Sequence, residues 1–225
     1  MTQILYNRIE AYMRGCMDDS AHDMEHVYRV LYGALRIAQG EAGVDRDVLI
    51  AACLLHDVGR REQFADPTLC HAQVGAAKAA VFLGELGCGP EFTERVSHCI
   101  RTHRFRKNDP PRTIEAMILF DADKLDVTGA MGIARSLMYR GEVVEPLYSV
   151  RPDGTISDGD GDDEPSFFRE YKFKLEKLYD RFYTATGTAL ARERQETARA
   201  FYEALYHEAA EGRMIGRGLL EGSLK

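Results

Sequence analysis

Several familiar marks of function are missing from this chain. Its five cysteines, at positions 16, 53, 70, 88 and 99, are odd in number and form no C-x-x-C pair. That argues against a disulfide framework or a thiolate zinc site and points to reduced thiols in a cytoplasmic protein. No window approaches the roughly 18 consecutive apolar residues of a membrane span. Residues 1–20 carry Arg8, Glu10, Arg14 and Asp18 along their length, so the continuous apolar stretch of a secretory signal is absent. Positive charge is also in short supply: 29 Lys and Arg face 36 Asp and Glu, for a formal net charge of −7. Non-specific attraction to a nucleic-acid backbone is therefore not favoured for the molecule as a whole. The densest basic stretch is Arg101, Arg104, Arg106, Lys107 and Arg112, beside His98 and His103. It suits a local polyanion contact or an ordinary solvated loop flank.

What is present is apolar material for a substantial core. At 225 residues, 45% apolar and 29% charged, the chain fits one globular domain, and no second domain is required. Apolar residues recur at helical spacing almost throughout: Val27, Val30, Leu31, Ala34 and Ala38 form one stripe, and Leu49, Ala52, Cys53 and Leu55 another. The fold class is accordingly all-α. Start signals at Ser20 or Asp23, Asp45, Pro90 and Thr113, with stops at Gly40, Gly43 and Gly87, frame the helices. These are expected over about residues 2–17, 22–40, 46–57, 71–86, 91–103, 113–123, 126–139, 168–184 and 189–211. A core over about 20–140 is thus followed by a Pro- and Gly-rich surface loop, about 141–166, and C-terminal helices over about 168–211. In the loop, Asp158, Asp160 and Asp162 alternate as in a calcium-binding loop. The following positions, Asp163 and Arg169, stand where that motif needs Gly and Glu, so solvated disorder is the better reading. The amphipathic terminal helix can pack on its own core or on a second copy of the chain, which leaves a homodimer open.

Three strings carry the chemistry. They are Asp23-Met24-Glu25-His26-Val27-Tyr28-Arg29-Val30, Ala51-Ala52-Cys53-Leu54-Leu55-His56-Asp57-Val58-Gly59-Arg60, and Leu119-Phe120-Asp121-Ala122-Asp123-Lys124-Leu125-Asp126. In that order they resemble the D-x-x-H-x-x-R-V, L-L-H-D-[IV]-G and A-D-[KR]-L-D segments of the HD superfamily of metal hydrolases. The segments from His71 to Ala76 and from Ile100 to Arg104 resemble further parts of that family. The tail from Thr184 to Arg194, leading to Phe201, is similar to the end of the small stand-alone bacterial HD hydrolases, the YedJ-like and YpgQ-like group. The resemblance covers most of the chain outside the acidic loop. It implies an all-α HD-domain helical bundle with C-terminal helices packed on the core. It also implies a divalent metal and hydrolysis of phosphate esters or anhydrides, with nucleotides as the first substrate class and nucleoside triphosphate pyrophosphohydrolysis as one form.

The resemblance makes His26, His56, Asp57 and Asp123 the metal ligands. Asp121, Asp123 and Asp126 compete for the last place; on a helix Asp123 and Asp126 share a face, whereas Asp121 lies about 200° from Asp123. The family pattern selects the aspartate before the basic residue, Asp123. Asp126 then becomes a supporting or proton-transfer group, and Asp121 a solvent-facing or helix-supporting carboxylate. Two imidazoles with two carboxylates suit Mn²⁺, Fe²⁺, Co²⁺, Ni²⁺ or Zn²⁺ better than Ca²⁺. Mn²⁺ is expected first, and Mg²⁺ stays open. One ion is expected ahead of two: His71, His98 and His103 partly supply the extra histidines of binuclear relatives, but no His-His dipeptide exists. Arg60 and Arg61 replace the acidic pair of alarmone hydrolases, which puts that activity in doubt. With Lys124 they are the candidates for binding substrate phosphates. The catalytic assignment is Asp57 and Asp126, with His71 or His103 donating the leaving-group proton. His22 and His207 receive no chemical role. The expected partner is a small phosphorylated molecule, with neither membrane nor nucleic acid. The competing class is a metal-stabilised HD module that binds a nucleotide or protein and turns over nothing; the filled ligand positions favour an enzyme.

Overall fold

The computed structural model describes residues 1–17, 24–104 and 109–224. Among them the chain is helical, as expected, with one isolated antiparallel bridge between Val150 and Ile156 and no β-strand. They form two compact units: Met1–Asp126 with Phe182–Thr188, and Val127–Arg181 with Ala189–Lys225. The expected start of the second helix at Ser20 or Asp23, along with His22, Arg106 and Lys107, lies outside the described residues.

The first unit is built around α3 (Arg46–Leu55), which is apolar on every side beyond its first turn. A helix of that pattern needs neighbours on all faces, and Val48, Leu49 and Ala51 through Leu55 are fully buried. The neighbours are α1 (Gln3–Met17), α2 (Met24–Ile37), α6 (Pro90–Thr102) and α7 (Ile114–Leu125), while α5 (His71–Glu85) packs along α6. α2 turns one stripe inward, Val27, Val30, Leu31, Ala34 and Ile37, and each buried Val, Leu or Ile side chain contributes roughly 1.5–3 kcal/mol. Asp45 caps α3 as expected, accepting from the Asp47 and Val48 amides at 3.0 and 3.3 Å. Arg95 of α6 bridges Asp45 at 2.8 Å and Glu115 at 3.1 Å, which ties the starts of α3 and α7 together.

α3 ends earlier than its apolar pattern suggested. It stops at Leu55, and the chain turns at Val58-Gly59 before a short α4 (Arg60–Ala65) that the sequence did not reveal. Six residues carry too little periodicity to register. A side chain at Gly59 would place its Cβ 2.4 Å from the His71 carbonyl oxygen and 2.6 Å from the Gly75 nitrogen. Glycine is what lets this turn press against the start of α5.

The second unit contains α8 (Gly129–Glu142), α9 (Phe167–Phe173), a 3-10 turn over Leu175–Lys177, and most of α10 (Ala185–Ser223). The helix expected over 168–184 is thus mostly absent, and the one expected over 189–211 is longer. The break has a local cause within the first unit: the amides of Tyr183 and Thr184 donate to Asp121 at 2.9 and 2.7 Å, and the Thr184 hydroxyl accepts from Gly187 at 2.9 Å. Thr184 therefore opens a new helix. The acidic loop is not solvated disorder. Asp162 accepts from the hydroxyls of Ser149 and Ser157, the Phe167 and Phe168 amides donate to the Pro146 and Leu147 carbonyls, and Ile156 and Ser157 are buried. No described helix is long and apolar enough to cross a membrane, and all five cysteines are unpaired.

Candidate metal centre

Helix ends of the first unit supply every residue of the candidate site. His26 sits in the first turn of α2, His56 and Asp57 follow α3, and His71 opens α5. His103 follows α6, Asp123 lies in the last turn of α7, and Asp126 caps it. All are buried except Asp123, whose side chain retains 16% exposure.

The four expected ligands converge. His26 Nε2 lies 3.3 Å from His56 Nε2, 3.6 Å from Asp57 Oδ2 and 3.5 Å from Asp123 Oδ1, and His56 Nε2 lies 3.6 Å from Asp57 Oδ2. The opposite ring nitrogens settle the tautomers. His56 Nδ1–H donates to the Cys53 carbonyl at 2.7 Å, and His26 Nδ1–H donates to Asp126 Oδ2 at 2.7 Å. With Nδ1 protonated, each Nε2 directs its lone pair toward the cluster. Asp57 Oδ2 is buried without a hydrogen-bond partner, an arrangement that costs about 1–3 kcal/mol or more for a charged group. His26, His56 and Asp123 offer two imidazole nitrogens and a carboxylate oxygen within 4.8 Å of one another, and Asp57 Oδ2 adds a fourth donor beside both imidazoles; that set suits a divalent cation.

Electrostatics agree with deprotonated ligands. Burial alone would raise the Asp57 carboxyl, but His56, Arg60, His103 and His26 hold it far below the usual carboxylate range. Burial is likewise outweighed at Asp123, where Lys124 and His26 keep the carboxyl ionised. Burial lowers His56 and pushes His71 down to about 2 and His103 to about 4.

The surrounding residues separate into groups. Asp126 holds His26 on one side and accepts from Arg29 Nε at 2.7 Å on the other. Arg29 was unassigned by sequence, although its place three residues after His26 puts it on the same helix face. Arg60 Nε reaches Asp57 Oδ1 at 2.9 Å, and Lys124 Nζ reaches Asp123 Oδ2 at 3.0 Å, whereas Arg61 is exposed on α4. His71 and His103 join the cluster, their Nε2 atoms 3.3 and 3.7 Å from Asp57 Oδ1. His98 does not; its Nε2 accepts from the Arg112 amide at 3.3 Å. Arg101 pairs with Glu94 and Asp109, and Arg104 lies against Cys70. Asp121 is buried and serves the start of α10, the helix-supporting alternative of its sequence reading. Gln63, which contacts His71 Nδ1 at 2.6 Å, carries no signal in the sequence.

The HD domain family model matches residues 23–128. The uncharacterized protein YpgQ of Bacillus subtilis (strain 168) is 32% identical over 182 residues, 79% of each chain. The crystal structure of YpgQ matches 92% of this chain and 97% of its own, at 29% identity and a TM-score of 0.70. YpgQ in complex with ADP matches 90% of this chain and 97% of its own, at 28% identity and a TM-score of 0.69. A predicted HD superfamily hydrolase from an uncultured Thermotogales bacterium matches 90% of this chain and 91% of its own, at 28% identity and a TM-score of 0.62.

Proposed function

The chain belongs to the HD-domain family, and from that premise we propose that it is a metal-dependent phosphohydrolase cleaving a phosphate ester or anhydride of a nucleotide. The observation that carries the reading is the buried convergence of His26 Nε2, His56 Nε2, Asp57 Oδ2 and Asp123 Oδ1 with both imidazole protons committed elsewhere. These four residues hold the ion, with Mn²⁺ as the first candidate. A divalent ion there supplies charge to polarise a phosphoryl oxygen and acidify water.

The remaining work falls to the protein. Asp126, braced by Arg29, keeps the His26 proton on Nδ1 and so keeps Nε2 available. Arg60 and Lys124, each beside a ligand carboxylate, neutralise phosphate oxygens, and Arg61 extends this basic edge along α4. His71 and His103 present buried, unprotonated Nε2 atoms, which suits them to lone-pair donation more than to protonating a leaving group. The ADP complex of YpgQ supports the nucleotide class, and five unpaired cysteines suit a reducing, cytoplasmic setting.

The test is hydrolysis of a nucleotide panel by metal-stripped protein resupplied with Mn²⁺, Mg²⁺, Co²⁺, Ni²⁺ or Zn²⁺, separating phosphate from pyrophosphate, with Asp57→Ala as control. Metal-dependent turnover lost in the variant supports the phosphohydrolase and names the scissile bond. Stoichiometric metal and nucleotide binding without turnover would replace it with a non-catalytic module.

A further inference from the structure

We propose that Gln63 is a positioning residue for the metal centre: it holds the proton of His71 on Nδ1, so that His71 donates no hydrogen bond to Asp57. The proposal rests on the reading of His26, His56, Asp57 and Asp123 as ligands of a divalent cation.

Helix polarity explains why a side chain is needed. The last turn of a helix leaves carbonyls without intrahelical partners, whereas the first turn leaves amides. His56 and His103 follow the ends of α3 and α6, where the Cys53 and Ile100 carbonyls accept from their Nδ1 atoms at 2.7 and 2.6 Å. His26 and His71 lie in the first turns of α2 and α5. There the unpaired backbone groups are donors, and each histidine takes its acceptor from a side chain on another element. For His26 that acceptor is Asp126. For His71 it is Gln63 Oε1, 2.6 Å from Nδ1. The Gln63 amide is held from turning over, because its Nε2 donates to the Leu69 carbonyl at 3.0 Å and so keeps Oε1 toward the ring. α4 is itself pinned to α5: Lys78 Nζ reaches the Val58 carbonyl at 2.8 Å and Glu62 at 2.6 Å, and Gly59 lets the turn close on the α5 backbone.

Without Gln63 the proton would be drawn the other way. His71 Nε2 lies 3.3 Å from Oδ1 of the buried Asp57 carboxylate, so a proton on Nε2 would donate to it. Asp57 Oδ1 already accepts from Arg60 Nε at 2.9 Å. A second donor, in a charge-assisted hydrogen bond, would withdraw negative charge from the carboxylate whose Oδ2 faces His26 and His56. Gln63 prevents this with a neutral group, so the charge balance around the ligands is left as it was.

The test reads the tautomer directly. Two-bond ¹H–¹⁵N correlation spectra of full-length, metal-stripped protein labelled with ¹⁵N-histidine distinguish Nδ1–H from Nε2–H imidazole, and His71→Gln identifies the His71 signals by their loss. The expected result is Nδ1–H in the wild type and Nε2–H in both Gln63→Leu and Gln63→Met, which keep the bulk and lose the amide. With folding checked by circular dichroism, Mn²⁺ titration of the two variants should show affinity weakened about 10–100-fold. A wild-type His71 carrying its proton on Nε2 overturns the proposal even where a variant fails to fold. So does Nδ1–H persisting in either folded variant. A switched tautomer with wild-type Mn²⁺ affinity overturns the link to the cation. Wild-type protein that binds no Mn²⁺ overturns the metal reading instead, and the metal-free spectra keep that failure distinct from failure of the Gln63 contact.

Discussion

Asp126 separates orientation from ligation, because its carboxylate accepts from His26 Nδ1 at 2.7 Å and from Arg29 Nε at 2.7 Å. Asp126→Asn should leave the fold intact and weaken Mn²⁺ binding about 10–100-fold, measured by metal titration; unchanged affinity would remove Asp126 from the site. Arg60 borders Asp57 from the basic side. Arg60→Ala should lower kcat/KM roughly 10–100-fold, the worth of a charged hydrogen bond of about 1.5–3 kcal/mol, and steady-state kinetics on the substrate from the nucleotide panel would read it. The four candidate ligands could be named from the sequence because the strings around His26, His56-Asp57 and Asp123 resemble family segments. Gln63 was not, since its pairing with His71 spans a turn whose path no local pattern encodes. His71 and His103 were legible as site residues, but their tautomers depend on a side-chain amide and a carbonyl positioned by folding.

At the level of elements, caps and glycines carry the sharpest predictions. Asp45→Ala removes the acceptor for two amides and for Arg95 and should cost about 1–2 kcal/mol in chemical denaturation. A loss within noise would mean that water replaces the cap. Gly59→Ala forces a methyl against the His71 carbonyl and the α5 backbone. The expected penalty is roughly 1–3 kcal/mol in chemical denaturation, and an unchanged midpoint would mean that the α5 backbone yields. The sequence misplaced the helix over 168–184 for a physical reason. Phe167, Phe168, Tyr171, Leu175, Leu178 and Tyr179 are all buried at spacings that one continuous helix would produce, so the apolar pattern does not register the turn at Lys174–Lys177. What fixes the fresh start at Thr184 is Asp121, more than sixty residues away in sequence, collecting the amides of Tyr183 and Thr184.

For the whole molecule, the buried histidines and carboxylates make stability depend on pH. His71 and His103 fall from an ordinary 6.5 to about 2 and about 4 in the folded chain. Between those values and 6.5 the unfolded chain binds protons that the folded chain refuses. The resulting stability is present above 6.5 and is lost as pH falls toward 4. The lowered Asp57 and Asp123 carboxyls extend the loss in the same direction below their ordinary 3.8. Melting of metal-stripped protein should accordingly drop between pH 7 and pH 4.5, and a flat profile would contradict neutral buried histidines. Local residue order determined the helical class, because apolar spacing is set by neighbours three and four positions apart, and it determined the family through short contiguous strings. Only the tertiary structure decided that Asp57 faces two clusters at once. Which lone pairs meet in a buried space depends on the ends of five helices brought together by packing, and no spacing within one string encodes that meeting.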